Sequence, residues 1–255
     1  MMFFCFFNKI IFNLIFRMLK VDKSHCKLGA SGGNILHVET EDRRKCLKLS
    51  LRRNYIADAE TMLQDFSSLT WLCLSANALT SIPRALEDLL NLKHLFISNN
   101  KIQLIENLDN CLNLETIDVR HNRLQELTGV AHLTKLTSLS VSGNIISKVG
   151  PHNISSDKLV FLGLYGNQIS DFEEIKSIVK NMNNLSKLFI GSNPFCDNLP
   201  LKPSFNVTVC SKDHSQTNGI KRMKCNGDSL NLSEMLALLK CLCPSLVNID
   251  NNIID

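Results

Sequence analysis

The sequence predicts an α/β fold, a right-handed leucine-lined solenoid with a curved parallel sheet on its concave side and short helical or 3₁₀ turns on its convex side. Three observations predict it. A leucine-centred pattern recurs seven times, an asparagine holds the same place in every copy, and the apolar residues between copies recur at every third position. The composition agrees, because 44% hydrophobic and 20% charged residues are typical of a globular chain and not of a disordered one.

The repeated pattern is L-x-x-L-x-L-x-x-N-x-L, and residues 46–195 hold its seven copies. The recurring asparagines are Asn54, Asn77, Asn100, Asn122, Asn144, Asn167 and Asn193. They lie 22 or 23 residues apart, except for a last interval of 26. Self-similarity at a fixed period of this length is the signature of a repeat architecture.

Each L-x-L segment predicts a short strand whose side chains alternate between two faces, so that Leu72 and Leu74, for example, point inward. One such strand cannot bury its apolar face alone. Successive copies therefore stack about 4.8 Å apart into a parallel sheet over a continuous core. The asparagine follows the strand, where its amide can pair with backbone groups that the bend leaves without partners. We expect the asparagines to form a structural ladder and not a binding site.

Between the strands, apolar residues at every third position favour tight helical turns over full α-helices. One such series is Ile102, Ile105, Leu108, Cys111 and Leu114. With these motifs, residues 46–255 resemble the leucine-rich repeat proteins. The 22-residue spacing resembles the intracellular subclass found in phosphatase-regulatory subunits, the leucine-rich axonemal dynein light chain and a spliceosomal snRNP protein. The resemblance implies a protein-interaction module, and it leaves phosphatase regulation, a role in the cilium and splicing-complex scaffolding open.

The carboxy-terminal region 231–255 predicts a cap helix and a last strand, because the final repeat would otherwise expose its core. The matching residues resemble the ending of the cap that accompanies the intracellular subclass, and they are Cys243, Pro244, Leu246, Ile249 and Asp250. Residues 196–230 form a polar insertion, for which we expect a loop. The long last interval holds residues 172–183, whose apolar spacing predicts an amphipathic helix on the convex side.

Residues 1–45 form an amino-terminal extension. Its apolar run, residues 2–16, is shorter than the roughly 20 residues of a membrane span. Three interpretations stay open: residues 1–17 are a mis-annotated start that precedes the true start at Met18, the run is a signal or membrane anchor, or it is a buried helix. The extension also carries the whole net charge of +4. The repeats therefore lack the basic surplus of a nucleic-acid-binding protein, and no nucleic acid partner is expected.

No pattern typical of a catalytic site occurs in the chain: there is no Cys-x-x-Cys, no His-Glu-x-x-His, no Gly-x-Ser-x-Gly and no Walker loop. We expect a protein that is not an enzyme, with no cofactor and no small-molecule substrate. Cys196, Cys210, Cys225 and His214 of the insertion are zinc-ligand types, but their spacing matches no familiar zinc module, so no metal is predicted.

The cysteines favour a cytoplasmic location, with the nucleus and the cytoskeleton or cilium as related compartments. Cys46 and Cys111 occupy leucine places of the repeat, where a free thiol behaves as a small hydrophobic group. Reduced thiols are typical of intracellular proteins. The alternative is a secreted or membrane-tethered recognition domain, which would require residues 2–16 to act as a signal or anchor.

The outward side chains of the strands define the concave face, in three rows. The first row is Lys48, Trp71, His94, Thr116, Ser138, Phe161 and Lys187. The second row is Ser50, Cys73, Phe96, Asp118, Ser140, Gly163 and Phe189. The third row is Arg52, Ser75, Ser98, Arg120, Ser142, Tyr165 and Gly191.

Large aromatic residues on this rigid face indicate a site for another protein, because aromatic anchors dominate the binding energy of protein interfaces. We expect one cluster of Trp71, His94 and Phe96, a second of Phe161, Tyr165 and Phe189, and between them the charged residues Asp118 and Arg120. Two alternatives stay open: the aromatic residues pack against the chain's own amino-terminal segment or insertion, or they are merely exposed to solvent.

Overall fold

The computed structural model describes residues 20–26, 28, 39–150, 152–154, 157–197, 232–249 and 252–253. The interpretations of residues 2–16 therefore lie outside the described residues, as do Cys210, His214 and Cys225 of the insertion.

Within the described residues, ten strands form one sheet in the order of the chain, which confirms the predicted solenoid. The strands are β1 Lys20–Asp22, β2 Lys48–Ser50, β3 Trp71–Cys73, β4 His94–Phe96, β5 Thr116–Asp118, β6 Ser138–Ser140, β7 Phe161–Gly163, β8 Lys187–Phe189, β9 Asn248–Ile249 and β10 Asn252–Ile253. Strands β1 to β9 pair in parallel, and β10 is antiparallel to β9. Equivalent places of the repeat lie opposite each other, as Leu72 and Leu95 do.

Helices occupy the convex side and the two ends of the described solenoid. They are α1 Thr40–Lys45, a 3₁₀ helix at Arg84–Asp88, α2 Phe172–Val179, α3 Pro194–Asp197 and α4 Leu232–Leu242. Helix α2 confirms the helix expected in 172–183, although it ends earlier, and its Asp171 carboxylate caps the Glu173 N–H at 2.8 Å. No helix in the described part of the chain has the length and apolar character that crossing a membrane requires.

The core lies between the sheet and the convex crossings. The central inward residue of each strand from β2 to β8 is at most 1% exposed, and these residues are Leu49, Leu72, Leu95, Ile117, Leu139, Leu162 and Leu188. Several crossings are tight turns closed by bonds between residues three apart, as where Leu114 N–H donates to Cys111 O at 3.0 Å. Because helical segments and turns pack less closely than strands spaced about 4.8 Å apart, the sheet lines the concave side.

The recurring asparagines lie inside the turns, where each one joins two neighbouring repeats. The Oδ1 atom of Asn122 accepts the N–H of Ile102 in the preceding repeat at 3.0 Å, and its Nδ2 donates to Ile97 O and Val119 O at 3.0 Å each. Equivalent bonds occur at Asn77, Asn100, Asn144, Asn167 and Asn193. The result is a continuous ladder of hydrogen bonds along the solenoid.

The sheet begins earlier than residue 46, inside the extension 1–45. Strand β1 places Val21 opposite Leu49, and the following Lys23 N–H donates to Ser50 O at 2.8 Å. By the same register, Cys26 stands at the asparagine place of an additional, degenerate repeat. This repeat is hard to recognise in the sequence because Lys23 stands where a leucine is expected, although cysteine is an accepted substitute for the asparagine.

Candidate interaction face

The parallel register aligns the outward side chains into the three rows of the concave face. Trp71 lies beside Lys48 and His94, and Phe161 lies beside Ser138 and Lys187. Successive side chains of a strand point to opposite faces of the sheet. Because the leucines are buried in the core, the row residues beside them lie on the other face.

Trp71 and Phe96 form the front pair, with ring centroids 5.4 Å apart and an angle of 43° between the rings. Trp71 belongs to the first row of β3 and Phe96 to the second row of β4, so the contact is diagonal across two strands. Both side chains are partly exposed. His94 lies beside Trp71 in the row, and its Nδ1 is 3.2 Å from Thr116 Oγ1.

Phe161 and Phe189 form the rear pair, which repeats this arrangement on β7 and β8. Their ring centroids are also 5.4 Å apart, at an angle of 41°. Gly163 leaves the space that the Phe161 ring needs, because a Cβ at that position would lie 3.3 Å from Phe161 Cε1 and 2.9 Å from Ser140 Oγ. Tyr165 lies in the third row and is 49% exposed, without a place in this ring contact.

Asp118 and Arg120 lie between the two pairs and neutralise each other. Arg120 Nε donates to Asp118 Oδ1 and Nη2 donates to Oδ2, both at 2.8 Å. The Asp118 carboxylate raises the pKa of the Arg120 guanidinium by hydrogen bonding. These two bonds hold the buried Asp118 carboxylate in a fixed position on the face.

Small hydroxyl side chains line the rest of the face between the pairs. They are Thr116, Ser138, Ser140 and Ser142. This stretch therefore leaves room for a bulky element of a partner.

The ring contacts of the front and rear pairs, within the part of the chain that the structure describes, are those inside each pair. The alternative in which the chain's own ends cover the aromatic residues concerns the amino-terminal segment and the insertion, most of which lie outside that part. Partner binding at the concave face thus stays a prediction.

Six of the described cysteines are free thiols: Cys26, Cys46, Cys73, Cys111, Cys241 and Cys243. Several of these belong to the core. The Cys111 thiol donates to Leu86 O at 3.1 Å, and burial raises the pKa of this thiol to about 11, with smaller contributions from Glu87 and Asp109. Burial also raises the pKa of the Cys46 thiol. No three His, Cys, Asp or Glu side chains among the described residues are grouped so that they could hold a metal ion.

Comparison with known proteins gives the same architecture. The family model "Leucine rich repeat" matches residues 47–102 and 67–124. Among solved structures, the chain is similar to internalin C2 of Listeria monocytogenes, with 24% identity and a TM-score of 0.52 over 61% of this chain and 66% of that protein. A second internalin of that organism, inlF, is 18% identical with a TM-score of 0.52, over 82% of this chain and 56% of that one. No curated protein matches the chain.

The chain thus spans less than two thirds of the length of each of these internalins. At such identities the likeness shows the fold alone.

Proposed function

We propose that this chain, which folds as a leucine-rich repeat solenoid and whose residues 47–124 match the leucine-rich repeat family model, is a non-enzymatic scaffold that binds another protein on its concave face. Leucine-rich repeat proteins generally mediate protein–protein interaction. One observation carries the proposal for this chain. The front and rear pairs place four partly exposed aromatic side chains on a face that the core holds rigid.

Partly exposed aromatic pairs of this kind suit the binding of a partner. Each aromatic side chain buries about 150–250 Å² when a partner covers it. Removing this apolar area from water would favour the complex. The rings already lean on each other at 5.4 Å, so little side-chain freedom is left to lose when a partner binds. The central ion pair is satisfied within the face and does not need a partner.

The test compares Trp71→Ala and Phe161→Ala with a matched pair on the other side of the molecule. Leu90 and Leu112 are 55% and 54% exposed and lie outside the three rows, so Leu90→Ala and Leu112→Ala remove similar exposed apolar area. Proteins captured by the wild type are identified by mass spectrometry, and their affinities are measured by calorimetry. Each aromatic substitution should weaken the complex by about 2 kcal/mol or more.

The circular dichroism spectrum should stay that of the folded protein in all four variants, since none removes a fully buried side chain, and loss of the ring contact at Trp71 or Phe161 should cost about 0.5–1.5 kcal/mol of stability. Unchanged affinity in the Trp71→Ala and Phe161→Ala variants, or an equal loss in the leucine variants, would refute the proposal.

We also propose that the protein belongs to the 22-residue intracellular subclass and acts in the cytoplasm, nucleus or cilium. Two features support this. The asparagine spacing of 22 to 23 residues prevails, and Cys243 and Leu246 of the subclass-like cap are at most 1% exposed, with Cys243 Sγ donating to Met182 O at 3.0 Å. Phosphatase regulation and axonemal assembly are processes in which that subclass takes part.

A thiol count on protein isolated without reductant tests the compartment. Ten free thiols would support the intracellular proposal, since the chain has ten cysteines. A disulfide that involves Cys196, Cys210 or Cys225 would favour the alternative of a secreted or membrane-tethered recognition domain.

A further inference from the structure

The concave face carries a net positive charge, because Asp118 and Arg120 at its centre neutralise each other and the remaining charged residues are mostly cationic. Across the rows of β1 to β8, the cationic residues are Lys20, Lys48, Arg52, Arg120 and Lys187, and the carboxylates are Asp22 and Asp118. Arg120 is committed to Asp118. Lys48, Arg52 and Lys187 form no ion pair with any residue that the structure describes.

These lysines stand beside the aromatic pairs. Lys48 lies opposite Trp71 in the register, and Lys187 lies opposite Phe161. The first row therefore runs from a lysine to an aromatic ring, across a hydroxyl-lined stretch, to a second aromatic ring and a second lysine. The two pairs lie four strands apart, which at about 4.8 Å per strand is a separation of about 19 Å.

From this arrangement we propose that the partner presents an acidic, extended polypeptide segment to the concave face. Two apolar side chains of that segment cover the front and rear pairs, and carboxylates outside them meet Lys48 and Lys187. An extended chain rises about 3.3 Å per residue, so the two apolar side chains stand about six residues apart. This inference rests on the proposed function and names the chemistry of its partner.

The surface between the pairs favours an extended segment over a helix. An extended chain leaves main-chain N–H and C=O groups that need partners, whereas a helix pairs its own. Thr116, Ser138 and Ser142 present partly exposed hydroxyls there, and a hydroxyl can both donate and accept.

Synthetic peptides test the charge and the spacing. The probe has the sequence DEFSGSGSFED, and three controls replace its acids with lysines, its phenylalanines with serines, or its spacer with one of two residues. Trp71 is the single tryptophan of the chain and lies on the face, so its fluorescence reports binding without a label. We expect the probe to bind at least about tenfold more tightly than every control, with an affinity that falls as salt rises from about 0.05 M to about 0.5 M.

Charge reversal in the protein locates the effect. The double variant Lys48→Glu with Lys187→Glu should bind the probe about tenfold more weakly and should reduce its preference over the lysine control peptide. The matched double variant Lys101→Glu with Lys180→Glu changes the net charge equally at exposed positions outside the rows, and it should bind within about twofold of the wild type.

The outcomes separate this inference from the proposed function. If the probe and the lysine peptide bind equally, or if neither binds, the inference is overturned. The scaffold proposal is then judged independently by whether Trp71→Ala and Phe161→Ala release captured proteins. If the control peptide with the two-residue spacer binds as tightly as the probe, the proposed extended segment that covers both pairs is wrong.

Discussion

Replacing Asn122 with alanine should show how much one step of the asparagine ladder contributes to stability. The Asn122 side chain is the acceptor for the buried N–H of Ile102, at 3.0 Å, and the substitution leaves that N–H without this partner. The carbonyls of Ile97 and Val119 each lose one donor. Because all three groups belong to the closely packed turns, water cannot replace the lost amide freely.

The two carbonyls keep a second donor, which limits the cost. Asn100 Nδ2 still donates to Ile97 O at 3.0 Å, and Asn144 Nδ2 still donates to Val119 O at 3.1 Å. The loss is therefore one fully orphaned N–H, at about 1–3 kcal/mol, and two shared bonds at about 0.5–1 kcal/mol each. We expect Asn122→Ala to lower the free energy of unfolding by about 2–5 kcal/mol.

The same substitution at Asn54 is the matched control, because the ladder stops there. Asn54 Nδ2 donates to Lys23 O at 2.7 Å, but its buried Oδ1 accepts no hydrogen bond from any described residue. Asn54→Ala orphans no N–H and also removes an unsatisfied oxygen, so we expect a loss of about 1 kcal/mol or less.

Urea denaturation followed by Trp71 fluorescence and by far-ultraviolet circular dichroism measures both losses. Agreement of the two probes is needed, since repeat arrays do not always unfold in one step. Equal losses for the two alanine variants, within about 0.5 kcal/mol, would show that the N–H acceptor bond is not what stabilises the ladder.

Two further predictions concern the convex crossings. Gly129→Ala should destabilise the protein by about 3 kcal/mol or more, because the added Cβ would lie 2.0 Å from Ile105 O at a φ of +76°. Thermal melts of both variants measure these losses. In Gly166→Ala, the residue has a φ of +65° and the added Cβ would lie 3.8 Å from its nearest neighbour, so the substitution should cost only about 1 kcal/mol. For Cys111, whose folded pKa is about 11 against an ordinary 9.0, the stabilising contribution is complete below pH 9 and declines as pH rises towards 11. Cys111→Ala should flatten the alkaline part of a stability-against-pH curve, and an unchanged slope would contradict this.

The strands and their register could be predicted because each inward leucine fixes the face of its neighbours. Once Leu72 and Leu95 point into the core, the period of two places Trp71 and His94 side by side on the other face. The first strand could not be found in this way. In β1 and its turn, Lys23 and Cys26 stand at the most diagnostic places, and only Val21 and Leu28 keep the apolar pattern among the described residues.

The site was less predictable than the fold, because rows give positions and not side-chain directions. The sequence placed Asp118 at the end of β5 and Arg120 two residues after it, both on the face, but their mutual neutralisation depends on the directions that the two side chains take. Their pairing decides which cations of the face remain available to a partner. The cations of the face without an ion pair to a described residue include Lys48, Arg52 and Lys187, none of which the sequence placed among the binding residues.

The two aromatic pairs share a sequence feature that explains why their rings pack in the same direction. In each pair, the ring of the first row crosses to the second row of the next strand. A small second-row residue stands on the strand that carries the crossing ring: Cys73 beside Trp71, and Gly163 beside Phe161. A larger residue there would compete with the ring for the same space, as the 3.3 Å approach at Gly163 shows. An aromatic followed two residues later by a small residue, with an aromatic in the second row of the next repeat, therefore indicates such a pair from sequence alone.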